Sequence, residues 1–326
     1  MKNMSKYLFS LIMVMSTLMV MSSNNWLTMW MGLEINLMAF IALTSTYMKT
    51  QNSESTMIYF LIQSLGSIIL LMTILSNMNI MINTNLTNMV LMLSIMIKLG
   101  IPPMHFWFTE TMKKMNWFNG LILMTWQKMA PMMIMSQVIQ SNEWTMIIII
   151  YSMMVGAMGA LNQTSMQKIL AYSSIAHMSW MMACMLSNQS WIYYLMIYSI
   201  LSGLIINVLE KNSIYYMNQM MMVKSPLTEK IMLASLMLSM GGMPPFLGFY
   251  PKWVVIQSMI ENSNYLTIML MIMLSLIMLF TYMRMITTIL LFNSMSMKWN
   301  TQKNSKQLQS MVITLNLMLP LMMIYI

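Results

Sequence analysis

Long runs of Met, Leu and Ile recur along this chain with almost no charge inside them. That repetition restricts the fold more than any single motif does. A helix needs roughly 20 apolar residues to cross the hydrocarbon core of a bilayer. Runs of that kind lie near residues 5–23, 26–46, 57–77, 86–108, 118–140, 145–163, 169–187, 190–209, 231–258, 264–292 and 308–326. Only 7% of the residues are charged and 59% are hydrophobic, whereas soluble domains carry about 25% charged residues. Such a chain cannot coat a globule with charge, so lipid must solvate much of its surface. The connections are short. The longest, near 210–230, holds Glu210, Lys211, Lys224, Glu229 and Lys230. The expected fold is all-α, a polytopic membrane protein of about 11 transmembrane helices forming a single membrane domain over residues 1–326.

Several functions are excluded at this stage. The net charge of +9 is spread over loops and helix ends, with no basic run or soluble basic domain, so nucleic acid is not an expected partner. The single Cys184 rules out an internal disulfide and a Cys-ligated iron–sulfur cluster. No glycine-rich nucleotide loop is present. The 56 methionines are scattered without a spaced cluster, so they read as replacements for Leu and Ile rather than as soft-metal ligands. The opening segment MKNMSKYLFSLIMVMSTLMVMSS has an apolar run longer than the roughly 7–15 residues of a signal-peptide core and no A-x-A site. It reads as the first span, with no removable targeting segment.

Loop charges test the helix count. With the N-terminus inside, Lys2, Lys6, Lys49, Lys113, Lys114, Lys168, Lys211, Lys224, Lys230, Arg284, Lys298, Lys303 and Lys306 all fall on one side. The outer loops hold only Glu143 and Glu261. A wrong count would have scattered the basic residues over both sides. Four charges remain within predicted spans: Glu34, Lys98, Lys128 and Lys252.

A lysine at mid-membrane costs about 2.5–3.5 kcal/mol on insertion scales, so it needs a partner or water. A structural lysine could instead snorkel to an interface. Lys98 and Lys128, about twelve and about ten residues into their runs, are roughly 15–18 Å deep, which is far for snorkelling. Two unit charges about 10 Å apart at an effective dielectric near 20 interact by about 1.7 kcal/mol, more than one pKa unit. A row of such groups can therefore pass charge changes along the membrane plane.

Two proline pairs accompany these lysines. IKLGIPPMHFW, residues 97–107, places Pro102 and Pro103 after Lys98, and GGMPPFLGFYPKW, residues 241–253, places Pro244 and Pro245 before Lys252. Proline removes an amide donor and breaks a helix, and non-helical backbone at membrane depth is tolerated where it is buried or lines a wet cavity. Broken helices are expected near 86–108 and 231–258. Lying five spans apart, they would run in opposite directions, as in an inverted-repeat antiporter-like fold. Pro pairs used only for packing are the other reading. His177 is a candidate proton shuttle or a satisfied interior residue. Ser173, Ser174, Tyr172 and Lys168 could line its path, although Lys168 equally suits the end of the seventh span. His105, beside Trp107, suits a membrane interface.

MGLEINLMAF (31–40), KLGIPPMHFW (98–107), TWQKMAP (125–131), LNQTSMQKILAYSSIAHMSWM (161–181) and GGMPPFLGFYPKW (241–253) resemble, in order and spacing, the NADH dehydrogenase subunit 2 family. These are mitochondrially encoded membrane-arm subunits of respiratory complex I. The Met-rich composition is similar to that of arthropod or other invertebrate members. The resemblance implies that Glu34 pairs with Lys98 and that Lys128 is the central lysine. It implies that Lys252 is the lysine of the second broken helix, and that His177 and Lys168 continue the axis. Met166 and Gln167 before Lys168 depart from a more basic family pattern. The resemblance implies proton translocation driven by electron transfer elsewhere. Flavin, iron–sulfur clusters and ubiquinone would then belong to other subunits, with no cofactor or metal in this chain. It also implies contacts with subunits 4 and 4L and with lipids including cardiolipin. The location would be the mitochondrial inner membrane, with the N-terminus on the matrix side and the C-terminus on the intermembrane-space side. A stand-alone cation/proton antiporter and a purely structural subunit remain alternatives on sequence grounds.

Overall fold

The computed structural model describes residues 2–45, 50–77, 84–139, 142–187, 189–222, 227–291 and 316. The predicted eleventh span, 308–326, lies outside the described residues except for Asn316, as do Lys49, Lys224, Lys298, Lys303 and Lys306. The described chain is all helical apart from one isolated bridge between Ser165 and Tyr216. It divides into two compact units, Met1–Thr145 and Met146–Ile326.

The first unit contains α1 (Lys2–Ser22), α2 (Trp26–Ser45), α3 (Thr50–Asn77), α4 (Thr84–Leu99), α5 (Phe106–Lys114), α6 (Trp117–Met124) and α7 (Trp126–Val138). α8 (Glu143–Leu161) begins at its end. The second unit continues with α9 (Met166–Leu186), α10 (Trp191–Lys211), α11 (Met217–Met222), α12 (Leu227–Gly241), α13 (Phe249–Glu261) and α14 (Tyr265–Leu291). Among the described residues seven helices are individually long and apolar enough to cross a membrane. Three other predicted spans are each divided into two shorter helices: α4 and α5, α6 and α7, and α12 and α13.

Small residues bring the helices of the first unit together. A Cβ on Gly32 of α2 would lie 2.5 Å from Val20 Cγ2 of α1. Trp30 of α2 donates its indole N–H to the Ser67 carbonyl of α3 at 3.2 Å. Phe40 and Tyr59 pack edge to face with ring centres 5.0 Å apart, an arrangement that favours aromatic pairs beyond their burial. Near its N-terminal end, α3 meets α5 through Glu54 and Lys114, 3.0 Å apart.

The two broken spans end their first halves in the same way. Gly100 has φ +69 and Gly242 has φ +81, the left-handed conformation that glycine adopts without a Cβ clash. After α4, Gly100 N–H donates to Ile97 O at 3.3 Å and Ile101 N–H to Met96 O at 3.0 Å. After α12, Gly242 N–H donates to Ser239 O at 3.0 Å and Met243 N–H to Leu238 O at 3.2 Å. Both are Schellman ends, with paired 5→2 and 6→1 bonds. Glycine therefore terminates each half-helix. The proline pairs follow and prevent the helix from resuming at once, as prolines just beyond a C-cap commonly do.

In the second unit, the connections at one end are knitted together by backbone pairing. Met166 N–H donates to Tyr215 O at 2.8 Å and Met217 N–H to Thr164 O at 3.0 Å. Arg284 of α14 reaches the same segment, donating to Leu161 O at 2.6 Å and Gln163 O at 3.0 Å. A guanidinium there satisfies carbonyls left open at the end of α8 and meets the negative end of that helix. Arg284 itself lies two turns inside α14, and its guanidinium closes the end of a different helix, α8.

Candidate functional site

In the first unit, α2, α3, α4 and α7 enclose a small buried cavity with room for roughly one water molecule. Lys98 and Lys128 both line it, with Asn36, Tyr59, Gln63 and Gln127 among the polar groups. Lys98 is in the last turn of α4, where the helix macrodipole favours a cation. Its Nζ lies 3.8 Å from Glu34 Oε1. That is an ion pair beyond hydrogen-bond length. The Lys98 side chain is 2% exposed and that of Glu34 29%, so the pair runs from the interior toward the surface of this chain.

Lys128 is placed differently from expectation. The sequence reading put it about ten residues into a continuous helix, but α6 stops at Met124 and α7 restarts at Trp126. Lys128 is therefore in the first turn of α7. Thr125 (φ −114, ψ −70) separates the helices, and its hydroxyl bonds the Leu121 carbonyl at 2.8 Å. Pro131, inside α7, removes the amide that would have bonded the Gln127 carbonyl. The buried ammonium of Lys128 lies over the Phe108 ring, 5.3 Å from its centre, a cation–π contact strengthened by exclusion of water.

The carbonyls at the first break are taken by protein donors. Trp107 Nε1–H donates to Ile97 O at 3.0 Å and Gln63 Nε2–H to Lys98 O at 2.9 Å. His105 is buried within the break, with Nδ1 3.3 Å from Pro103 O. Beside Lys128, Gln127 and Asn36 exchange reciprocal amide hydrogen bonds at 3.0 and 3.2 Å. Tyr59 donates to Gln127 Oε1 at 3.3 Å, and Gln127 Nε2–H points to Met13 Sδ at 3.2 Å. Reading the sequence for charge missed this node. Its available signal was an uncharged polar residue next to Lys128 and another two positions after Glu34.

In the second unit a separate small cavity is lined by His177, Trp180, Gly241, Lys252 and Tyr282. Lys252 is in the first turn of α13 and is buried. Its Nζ donates to Gly241 O at 2.8 Å and approaches Met240 O at 3.4 Å, so it caps the end of α12. His177 Nδ1 is 2.9 Å from the Tyr194 hydroxyl, and its ring lies 5.0 Å from that of Tyr198. The cavity thus brings His177 and Lys252 together. Lys168, in the first turn of α9 and half-buried, does not line it. Nine residues are two and a half turns, so Lys168 and His177 leave α9 on opposite faces, about 13.5 Å apart along its axis.

The chain matches the NADH:quinone oxidoreductase/Mrp antiporter membrane family over residues 23–278. The fold is similar to respiratory complex I from Thermus thermophilus, with a TM-score of 0.82 and 21% identity over 95% of this chain and 76% of that one. It is also similar to the Mrp complex from Dietzia, with a TM-score of 0.75 and 15% identity over 91% of this chain and 61% of that one. Helix-buried lysines beside two broken spans on this scaffold define an antiporter-like membrane subunit. The chain is 43% identical to NADH-ubiquinone oxidoreductase chain 2 of Locusta migratoria, over 86% of this chain and 84% of its relative. It is 40% identical to that of Anopheles gambiae, over 93% and 91%, and 36% identical to that of Bos taurus, over 95% of each. Within the antiporter-like class, the chain belongs to the NADH-ubiquinone oxidoreductase chain 2 family.

Proposed function

We propose that Glu34, Lys98 and Lys128 in the first unit, and His177 and Lys252 in the second, are the groups through which this multi-pass subunit moves protons. The family is that of a proton-translocating membrane subunit of respiratory complex I, and its partners are other subunits of the membrane arm. The observation that carries the residue assignment is the Glu34–Lys98 ion pair, whose lysine shares one buried cavity with Lys128. Removing the charge on Glu34 changes the field on Lys98 and, across that cavity, on Lys128. At an effective dielectric near 20 such coupling is worth a kilocalorie or more per mole, about the size of one pKa unit. Electron transfer in other subunits supplies the drive. This chain then carries no flavin, iron–sulfur cluster or quinone, a reading supported by its single cysteine.

Glu34, partly exposed on α2, would face a neighbouring subunit; subunits 4 and 4L are the proposed neighbours, with cardiolipin among the lipids. Loop charge supports an N-terminus in the matrix and a C-terminus in the intermembrane space of the mitochondrial inner membrane. Lys168 stands at the membrane edge of α9, as a surface group for the second cavity rather than a member of it.

Lys98→Met in the intact complex tests the assignment. Removing one partner of a buried ion pair is destabilising, so the yield of assembled complex is measured first and pumping is scored per assembled complex. Protons moved per NADH oxidised should fall, and Glu34→Gln should fall with it. Wild-type pumping in an assembled Lys98→Met complex overturns the role and leaves a structural spacer as the reading.

A further inference from the structure

The structure assigns Tyr194 as the positioning residue for His177: its hydroxyl, 2.9 Å from Nδ1, holds the imidazole in the cavity shared with Lys252. This inference rests on the reading of His177 and Lys252 as a proton-transfer site.

His177 comes from the middle of α9 and Tyr194 from the first turn of α10. Both are buried, at 8% and 3% exposure. A buried polar pair has no water with which to replace its bond, so losing one partner leaves the other unsatisfied. The imidazole has two chemically distinct nitrogens, and the bond made by one sets the role of the other.

A tyrosine hydroxyl suits this task because it can donate or accept. When His177 is neutral with its proton on Nε2, Tyr194 donates to Nδ1. When the ring is protonated at both nitrogens, Nδ1–H donates to Tyr194 Oη. One contact therefore holds the ring in both protonation states. A serine or threonine could do the same chemistry but would not span the gap from α10. The Tyr198 ring is tilted against the imidazole with centres 5.0 Å apart, and Lys252 and Tyr282 are the other titratable groups lining the cavity.

The test uses the intact complex with three versions of this subunit: Tyr194→Phe, His177→Ala and the double variant. Tyr194→Phe keeps the ring and removes only the hydroxyl. Protons moved per NADH oxidised should fall in Tyr194→Phe to the level of His177→Ala, and the double variant should be no worse than either, because both changes remove one device. A merely structural tyrosine would lower assembly without this non-additivity. Wild-type pumping in Tyr194→Phe alongside reduced pumping in His177→Ala overturns the positioning role alone. Wild-type pumping in His177→Ala overturns the site itself. If Tyr194→Phe does not assemble, Tyr194→Gln keeps a polar group there. Assembly with pumping restored above the His177→Ala level supports the assignment, and assembly at that level or no assembly overturns it.

Discussion

Lys252 Nζ sits 2.8 Å from the Gly241 carbonyl oxygen, and a Cβ on the adjacent Gly242 would lie 2.7 Å from that same nitrogen. The glycine that ends α12 and the lysine that caps it therefore require each other. Gly242→Ala both strains a left-handed residue, at about 1–2 kcal/mol, and pushes the ammonium off its carbonyl. The expected outcome is lower thermal stability of the complex together with fewer protons moved per NADH. Membrane-potential measurements in reconstituted vesicles check the second effect. Normal pumping in this variant would show that the lysine's seat on α12 is dispensable.

The first break gives a contrast between two glycines. A Cβ on Gly100 would lie 2.8 Å from Phe108 Cβ in a backbone of φ +69, and the Phe108 ring is the surface beneath Lys128. Gly100→Ala should therefore disturb Lys128 from a distance and reduce pumping severalfold. On Gly66 of α3 the same added atom would lie 3.1 Å from Lys98 Cγ, part of a flexible stem. Gly66→Ala should be the milder of the two in the same pumping assay. The reverse order would remove the proposed link from the break to Lys128.

Gln127→Leu breaks the reciprocal amide pair with Asn36 and leaves a buried amide without its partner. Such a loss costs about 1–3 kcal/mol in soluble proteins and averages about 0.6 kcal/mol in membrane helices. A modest fall in the melting temperature of the complex is expected. Gln127→Leu combined with Asn36→Leu should recover part of it, since an apolar pair leaves nothing unsatisfied. Additive losses in the double variant would mean the two amides do not act as a unit.

Arg284→Lys tests a role in structure. The guanidinium serves the Leu161 and Gln163 carbonyls at once, a fork that an ammonium does not reproduce. The yield of assembled complex should drop, while the complex that does assemble moves protons at the wild-type ratio per NADH. A changed ratio at normal yield would place Arg284 in the pumping machinery instead.

Periodicity and charge made much of this molecule legible in advance. Apolar runs located the helices, and the three lysines inside them proved to be buried. Charge could not reveal Asn36, Gln63, Gln127 or Tyr194. A search for charge passes over uncharged polar residues, and their partners lie far away in sequence, 91 positions apart for Asn36 and Gln127. The breaks were visible through proline, but the residue that ends each half-helix is the glycine two positions earlier, where only the backbone sign discloses its role. At Thr125 neither proline nor glycine marks the interruption. The helix yields there to local hydrogen bonding and to the missing amide of Pro131, so Lys128 looked deeper in its helix than it is. Lys168 and His177 looked like neighbours on one path, yet their spacing sends them to opposite faces.

The two helix ends differ in who holds them shut. At α4 the open carbonyls are held by Trp107 and Gln63, so the head of Lys98 can swing without undoing its own helix end. At α12 the closing donor is the Lys252 ammonium itself. Withdrawing it uncovers a buried carbonyl, at about 1–3 kcal/mol, which at 1.36 kcal/mol per decade makes the withdrawn state roughly 5 to 150 times rarer. The first lysine is held by its ion pair with Glu34 and the second by the helix end it closes. Moving the second lysine therefore opens a helix end, which moving the first does not.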